Sequence, residues 1–233
     1  MPGSTDQSAA SGGRATAAYI APFLVYVGFM SLEHAFHLPL RIFYPIRCAV
    51  SLAVLVAVSR PVLSVLPFRP SRPLASMALG AAVFLVWIAP DRLFAYRHFW
   101  LFDNPLLGSA APSLPPDLRA SALFCALRAL GSTLLVPVLE ELFWRAWLMR
   151  WLIDSRFRKL PLGAFTPFSF WCTAALFAVE HGPYWEVGLA AGVLYNWWMI
   201  RTRSLSDCVL AHSVTNGLLS AFVLGWNQWQ YWL

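Results

Sequence analysis

Glu140 and Glu141 stand side by side inside the strongly apolar run Ser132 to Ile153, with Arg145 one helical turn beyond the second of them. An acidic side chain at membrane depth costs roughly 2.5–3.5 kcal/mol even on lenient insertion scales, so a pair of them requires partners or a purpose. That requirement constrains the fold, because other apolar segments must close around the acids. Candidate partners lie in such segments. His181 follows the apolar run Phe168 to Val179, and His212 and Asn216 lie in the run Cys208 to Leu224. Isolated proton-moving groups on separate hydrophobic segments point to a catalytic site inside a membrane.

The chain has 233 residues, of which 59% are hydrophobic and only 12% charged, and its mean hydropathy is +0.60. Soluble domains average about 25% charged residues. In lipid every backbone polar group must be satisfied within the chain, so the expectation is an all-α, polytopic transmembrane helix bundle. Apolar windows of about twenty residues predict seven spans: Ala17–Leu32, Ile42–Ser59, Leu74–Ala89, Ala120–Leu139 continuing towards Leu152, Phe168–Val179, Tyr184–Ile200 and Leu205–Leu224. Residues 1–16, rich in Ser, Gly and Ala, are expected to form a disordered tail ahead of a helical domain over 17–233, and they lack the layout of a cleavable signal peptide.

The formal charge of +6 comes from arginines scattered between apolar runs instead of clustered on a basic stripe, which argues against a nucleic-acid partner. Arg60, Arg69 and Arg72, then Arg150, Arg156, Arg158 and Lys159, then Arg201 and Arg203 fall in alternate connections. By the positive-inside rule these connections are cytoplasmic, which places the N-terminus inside and the Pro-rich segment Pro90 to Pro116 outside. Arg41 and Arg47 dissent mildly. Cys48, Cys125, Cys172 and Cys208 are spread singly through apolar stretches and read as packing residues, not zinc ligands. The tryptophans near span ends, Trp87, Trp100, Trp151, Trp226, Trp229 and Trp232, read as an aromatic belt.

Successive residues on a helix lie about 100° apart, so Glu140 and Glu141 cannot face one spot, whereas Glu141 and Arg145 are i, i+4 neighbours able to pair. This spacing predicts that Arg145 neutralises Glu141 while Glu140 faces a cavity. Phe177 and His181 repeat the i, i+4 spacing just before Gly182–Pro183, and so do His212 and Asn216 on the last span. Imidazole serves as acid, base, donor or metal ligand, and a carboxamide beside it is a natural donor to an oxyanion. Each feature also has a structural reading: an ion pair for Glu141 with Arg145, and helix-to-helix hydrogen bonds for the histidines and Asn216. Arg128 finds no role at this stage, and Glu180 and Glu186 read as interfacial and solvated. A depth count at about 1.5 Å per residue places His181 some 20 Å in, deeper than Glu140 or His212. Either the fifth span starts later or tilts, or the segment after Lys159 dips into the membrane.

Glu140-Glu141-x-x-x-Arg145, Phe177-x-x-x-His181 and His212-x-x-x-Asn216 together resemble the three-motif signature of the CPBP family, the type II CAAX prenyl endopeptidases and their bacterial relatives implicated in bacteriocin processing and self-immunity. The resemblance covers roughly Leu130 to Leu219, within a catalytic core placed at 117–220. Ala146 departs from the small Gly that bacterial members commonly place after the motif arginine. The chain is also similar to a bacterial subgroup associated with exosortase-type sorting. The resemblance implies an intramembrane endopeptidase, a bacterial plasma membrane and a peptide or protein substrate within or at the bilayer. It implies that Glu140 and His181 activate water, that His212 and Asn216 stabilise the oxyanion, and that Glu141, Arg145 and Phe177 support the site. No cofactor is required on the preferred reading; on the other, zinc or another divalent metal is held by Glu140, His181 and His212. Two alternatives stand beside the peptidase: a non-catalytic scaffold or immunity protein of the same fold, and a proton-coupled transporter, for which the sequence shows no inverted repeat.

Overall fold

Seven long helices carry the seven expected apolar segments. In the computed structural model, which describes residues 4–64, 69–112 and 114–232, they are α1 (Ser4–Ala35), α2 (Leu40–Leu63), α3 (Pro73–Phe94), α4 (Ala122–Trp151), α5 (Pro167–Glu180), α6 (Trp185–Thr202) and α7 (Leu205–Trp226). There is no named strand among the described residues. Of the expected tail, residues 1–3 lie outside the described residues, and α1 begins at Ser4, ahead of its apolar part, Ala15–Ala35. α1, α2, α3, α4 and α7 are each long and apolar enough to cross a bilayer. The chain is an integral, multi-pass membrane protein.

α1 packs on α2, α3 on α7 and α5 on α6, while α4 runs against α7 and α1. Small residues allow the close approaches that membrane helices use in place of hydrophobic drive. A side chain at Gly80 of α3 would collide with the Ala211 carbonyl and with Val214 of α7. The same pair of helices is latched at one end by Asp207, which is fully buried. Its carboxylate accepts from the backbone N–H groups of Ser71 and Arg72 at 2.7 and 2.9 Å and from the Ser71 and Ser76 hydroxyls at 2.8 Å each. Those donors lie at the start of α3, where unsatisfied N–H groups and the helix dipole favour an anion.

α4 is not a regular α-helix. Pro137 supplies no N–H to the carbonyl four residues before it, and its ring crowds that turn. The ladder widens there into a π-helical stretch over Gly131–Leu135, returns to α geometry for Val136–Glu141, and widens again over Leu142–Leu148. π-bulges of this kind mark functional sites often enough to direct attention to the carboxylates between them.

α5 starts no later than expected, at Pro167. It has 14 residues, about 21 Å of rise, too short to cross a hydrocarbon core of about 30 Å alone. Thr166 and Ser169 close a capping box at its start, and it stops at His181, where Gly182 turns the chain with φ of 50°. Beyond this break the segment after α3 folds back over the same end of the bundle. Arg97 pins it by donating to the Pro183 carbonyl at 2.7 Å and pairing with Glu186 at 2.6 Å, with its guanidinium 3.8 Å from the Tyr184 ring centre. Glu186, expected to be solvated, is thus a partner of Arg97 and of the Tyr96 hydroxyl, which donates to it at 2.6 Å. Trp87 also departs from the expected belt: it is buried, with its ring 5.1 Å from that of His181.

Asp207→Ala removes four charge-assisted bonds, each of a kind worth about 1.5–3 kcal/mol at most. A loss of about 2–4 kcal/mol is expected, read as a lower Tm in detergent; an unchanged Tm would mean that the latch does not hold α3 to α7.

Candidate active site

The three motifs converge. Glu140 and Glu141 leave the short α-helical stretch of α4, His181 sits at the C-terminal end of α5, and His212 and Asn216 come from α7. Glu140, Phe177, His181, His212 and Asn216 line one cavity of about 220 Å³ inside the bundle.

Glu141 is the centre of the polar network. Its Oε1 accepts from Arg145 Nη1 at 3.0 Å and from His212 Nδ1 at 2.8 Å, and both Glu141 and Arg145 are 0% exposed. Arg145 is fixed on its other sides as well. Its Nε donates to Asn196 Oδ1 at 3.2 Å, and its guanidinium lies 4.4 Å from the Phe177 ring centre and 5.2 Å from that of Tyr195. Asn196 in turn donates to the Phe170 carbonyl at 2.9 Å. The Phe of the second motif is therefore a shelf for the Arg of the first.

Both histidines have their Nδ1 committed. That of His181 lies 2.7 Å from the Phe177 carbonyl, which can only accept, so the proton is on Nδ1 and Nε2 carries the free lone pair. His212 Nδ1 faces the Glu141 carboxylate, which places a proton on Nδ1, and its Nε2 lies 4.0 Å from Glu140 Oε2. Tyr195 stacks on the His212 ring at 5.0 Å and 24° and donates its hydroxyl to Thr215 at 2.7 Å. Glu140 is 8% exposed, and its Oε2 is buried with no hydrogen-bond partner. Asn216 donates through Nδ2 to the Ser132 carbonyl at 2.9 Å, in the first π stretch. A carboxamide NH2 carries two hydrogens, so a second donor remains.

Several participants escape a reading of the motifs. Tyr195 and Asn196 on α6 orient His212 and Arg145, yet in sequence they are an ordinary Tyr-Asn pair within an apolar helix. Trp87 walls the cavity from α3. Glu180 is exposed, in keeping with the expectation, and also lines the cavity together with Glu140. Arg128 also gains an account: it is buried, with its guanidinium 5.4 Å from the ring centres of both Tyr44 and Trp232.

Among the described residues no group of three or more His, Cys, Asp or Glu side chains is placed to hold a metal ion. Cys48, Cys125, Cys172 and Cys208 are free thiols, distributed singly as expected.

Residues 122–218 match the family model described as type II CAAX prenyl endopeptidase Rce1-like, a stretch that takes in all three motifs. No curated protein and no solved structure matches the chain.

Glu141→Ala leaves the buried Arg145 guanidinium and the His212 Nδ1–H without their acceptor, and breaking a buried pair in this way costs about 3–5 kcal/mol. Glu140→Gln removes no hydrogen bond from Oε2. Thermal unfolding in detergent is expected to show a large loss of Tm for the first and a shift of a few degrees at most for the second; equal losses would mean that Glu140 is structural as well.

Proposed function

We propose that this chain, which carries an Rce1-like domain over residues 122–218 in a multi-pass membrane bundle, is an intramembrane endopeptidase that hydrolyses a peptide bond of a membrane-associated protein or peptide, in a bacterial plasma membrane. The observation that carries the reading is the gap between Glu140 Oε2 and His212 Nε2. At 4.0 Å it is too long for a hydrogen bond, and the unpartnered oxygen opens on a cavity shared with His181 and Asn216.

Water is a poor nucleophile, so hydrolysis needs a base beside it and donors beside the carbonyl oxygen. Glu140 takes a proton from the water, with the His181 Nε2 lone pair accepting a hydrogen bond from it. The water oxygen bonds to the carbonyl carbon, and the carbonyl oxygen becomes negative. The second Asn216 hydrogen and a protonated His212 Nε2 meet that charge. His212 can serve as this donor only in its imidazolium form, because its Nδ1 proton is already engaged. Collapse of the tetrahedral species breaks the C–N bond, and the proton held by Glu140 leaves with the amine. No step requires a metal.

Support comes equally from what holds the groups. Arg145, Asn196, Phe177 and Tyr195 fix Glu141 and His212 from behind, so the reacting groups are positioned by buried neighbours on rigid helices.

Purified protein in proteoliposomes, offered a quenched-fluorescent peptide library, is expected to cleave. Glu140→Ala should abolish cleavage, and Asn216→Ala should lower kcat by about 10²–10³, as removal of one oxyanion donor does elsewhere. A zinc chelator should have no effect. Cleavage that survives Glu140→Ala would overturn the assignment, and chelator-sensitive cleavage would overturn the metal-free route.

A further inference from the structure

The catalytic groups form the floor of a well. Among the described residues, the lining of the 220 Å³ cavity runs from them towards one end of the bundle only. On α7 it extends from His212 through Asn216 to Ser220, about 12 Å along the helix, on α4 from Glu140 back through Ser132 to Arg128, and on α6 from Tyr195 back to Ala191. These directions agree, because α4 and α6 run opposite to α7: Glu141 meets His212 while Ser132 meets Ser220, and Tyr195 meets Thr215 while Tyr184 meets Gln230. Beneath the floor the bundle is closed. Leu142, Arg145 and Met149 of α4, Met199 of α6 and Cys208 of α7 are all 0% exposed.

In the other direction the well continues into a second cavity of about 690 Å³, between the turn joining α1 to α2 and the segment 114–118. Met30 and Arg47 line both spaces. The rim beyond them includes His34, His37, Arg41 and Asp117, all exposed. Ionisable side chains belong at a water interface or a water-filled cavity, not against hydrocarbon, so this end of the well opens to water.

The two ends of the bundle differ in charge. At the closed end, the connections between α2 and α3, α4 and α5, and α6 and α7, with the turns flanking them, carry Arg69, Arg72, Arg158, Lys159, Arg201 and Arg203, every one exposed. At the open end Arg41, Arg47 and Arg97 are tied to Asp117, Glu33 and Glu186. The positive-inside rule assigns the closed end to the cytoplasm.

We propose that the site draws its water and its substrate from the non-cytoplasmic side, so that the bond it cleaves belongs to a membrane-anchored segment already delivered to the outer face. Calling that segment the substrate rests on the peptidase reading above; the sidedness of the well does not.

The test reads access separately from turnover. Met30→Cys at the neck, Ser132→Cys on the wall and Arg203→Cys at the closed end are each placed in the full chain in a bacterial membrane, and variants whose Tm in detergent matches the parent's are carried forward. Spheroplasts and sealed inside-out vesicles are then treated with a charged, membrane-impermeant methanethiosulfonate, which needs a hydrated thiolate. The parent chain, with its own four cysteines, sets the background. Met30→Cys and Ser132→Cys are expected to label above the parent in spheroplasts and only to the parent's level in inside-out vesicles, and Arg203→Cys to do the reverse. Labelling of Ser132→Cys from the side that labels Arg203→Cys, or from neither side while Met30→Cys labels, would overturn the well. Labelling of Arg203→Cys in spheroplasts would overturn its sidedness. In the same membranes an impermeant quenched-fluorescent peptide is expected to be cleaved by spheroplasts, beyond the level seen with Glu140→Ala, and spared by inside-out vesicles. Cleavage confined to inside-out vesicles would overturn the proposal and leave the peptidase reading standing, whereas outward labelling with no cleavage from either side would sink the peptidase reading alone.

Discussion

One carboxylate oxygen holds the site together. Glu141 Oε1 accepts at once from Arg145 and His212, and so joins the first motif to the third across two helices. Everything else around it follows from the cost of burying charge. Arg145, fully enclosed, needs acceptors and apolar support, which Asn196, Phe177 and Tyr195 supply. His212, tied through Nδ1, has its ring plane set by Tyr195. A buried ion pair by itself is weak evidence of stability; this one is dense because each member also positions a group that reaches the cavity.

The widened turns of α4 work in the same direction. Between two π stretches the helix presents Glu140 and Glu141 differently, one to the cavity and one to its buried partners. The first stretch, which Pro137 accounts for, also offers the Ser132 carbonyl to Asn216. A residue that reads in sequence as a helix breaker thereby contributes to where the third motif docks.

Features that depend on spacing along one helix were legible in the chain. Glu141 with Arg145, Phe177 with His181, and the cavity-facing position of Glu140 all follow from a repeat of about 3.6 residues. So did the all-helical class and the number of long helices, since apolar runs of that length leave few other folds. Contacts between helices were not legible. That Glu141 meets His212, that Trp87 abuts His181 instead of a headgroup zone, and that Arg128 lies between Tyr44 and Trp232 depend on packing no single segment records. The same holds for Glu186, whose partner Arg97 lies on a distant loop, and for α5, whose apolar composition is that of a span although its length is not.

The carboxylate of Asp207 has a reach beyond the helix end it latches. Asp207 and His212 share α7, and α3 is gripped at Ser71, Arg72 and Ser76 while Gly80 lets the two helices pack in close contact. A slip of one residue along a helix means about 1.5 Å of travel and about 100° of rotation, enough to carry the His212 ring away from Glu141 altogether. The axial setting of that imidazole is therefore fixed by three residues that never meet the cavity, and sequence change at the start of α3 is constrained by chemistry performed several turns away.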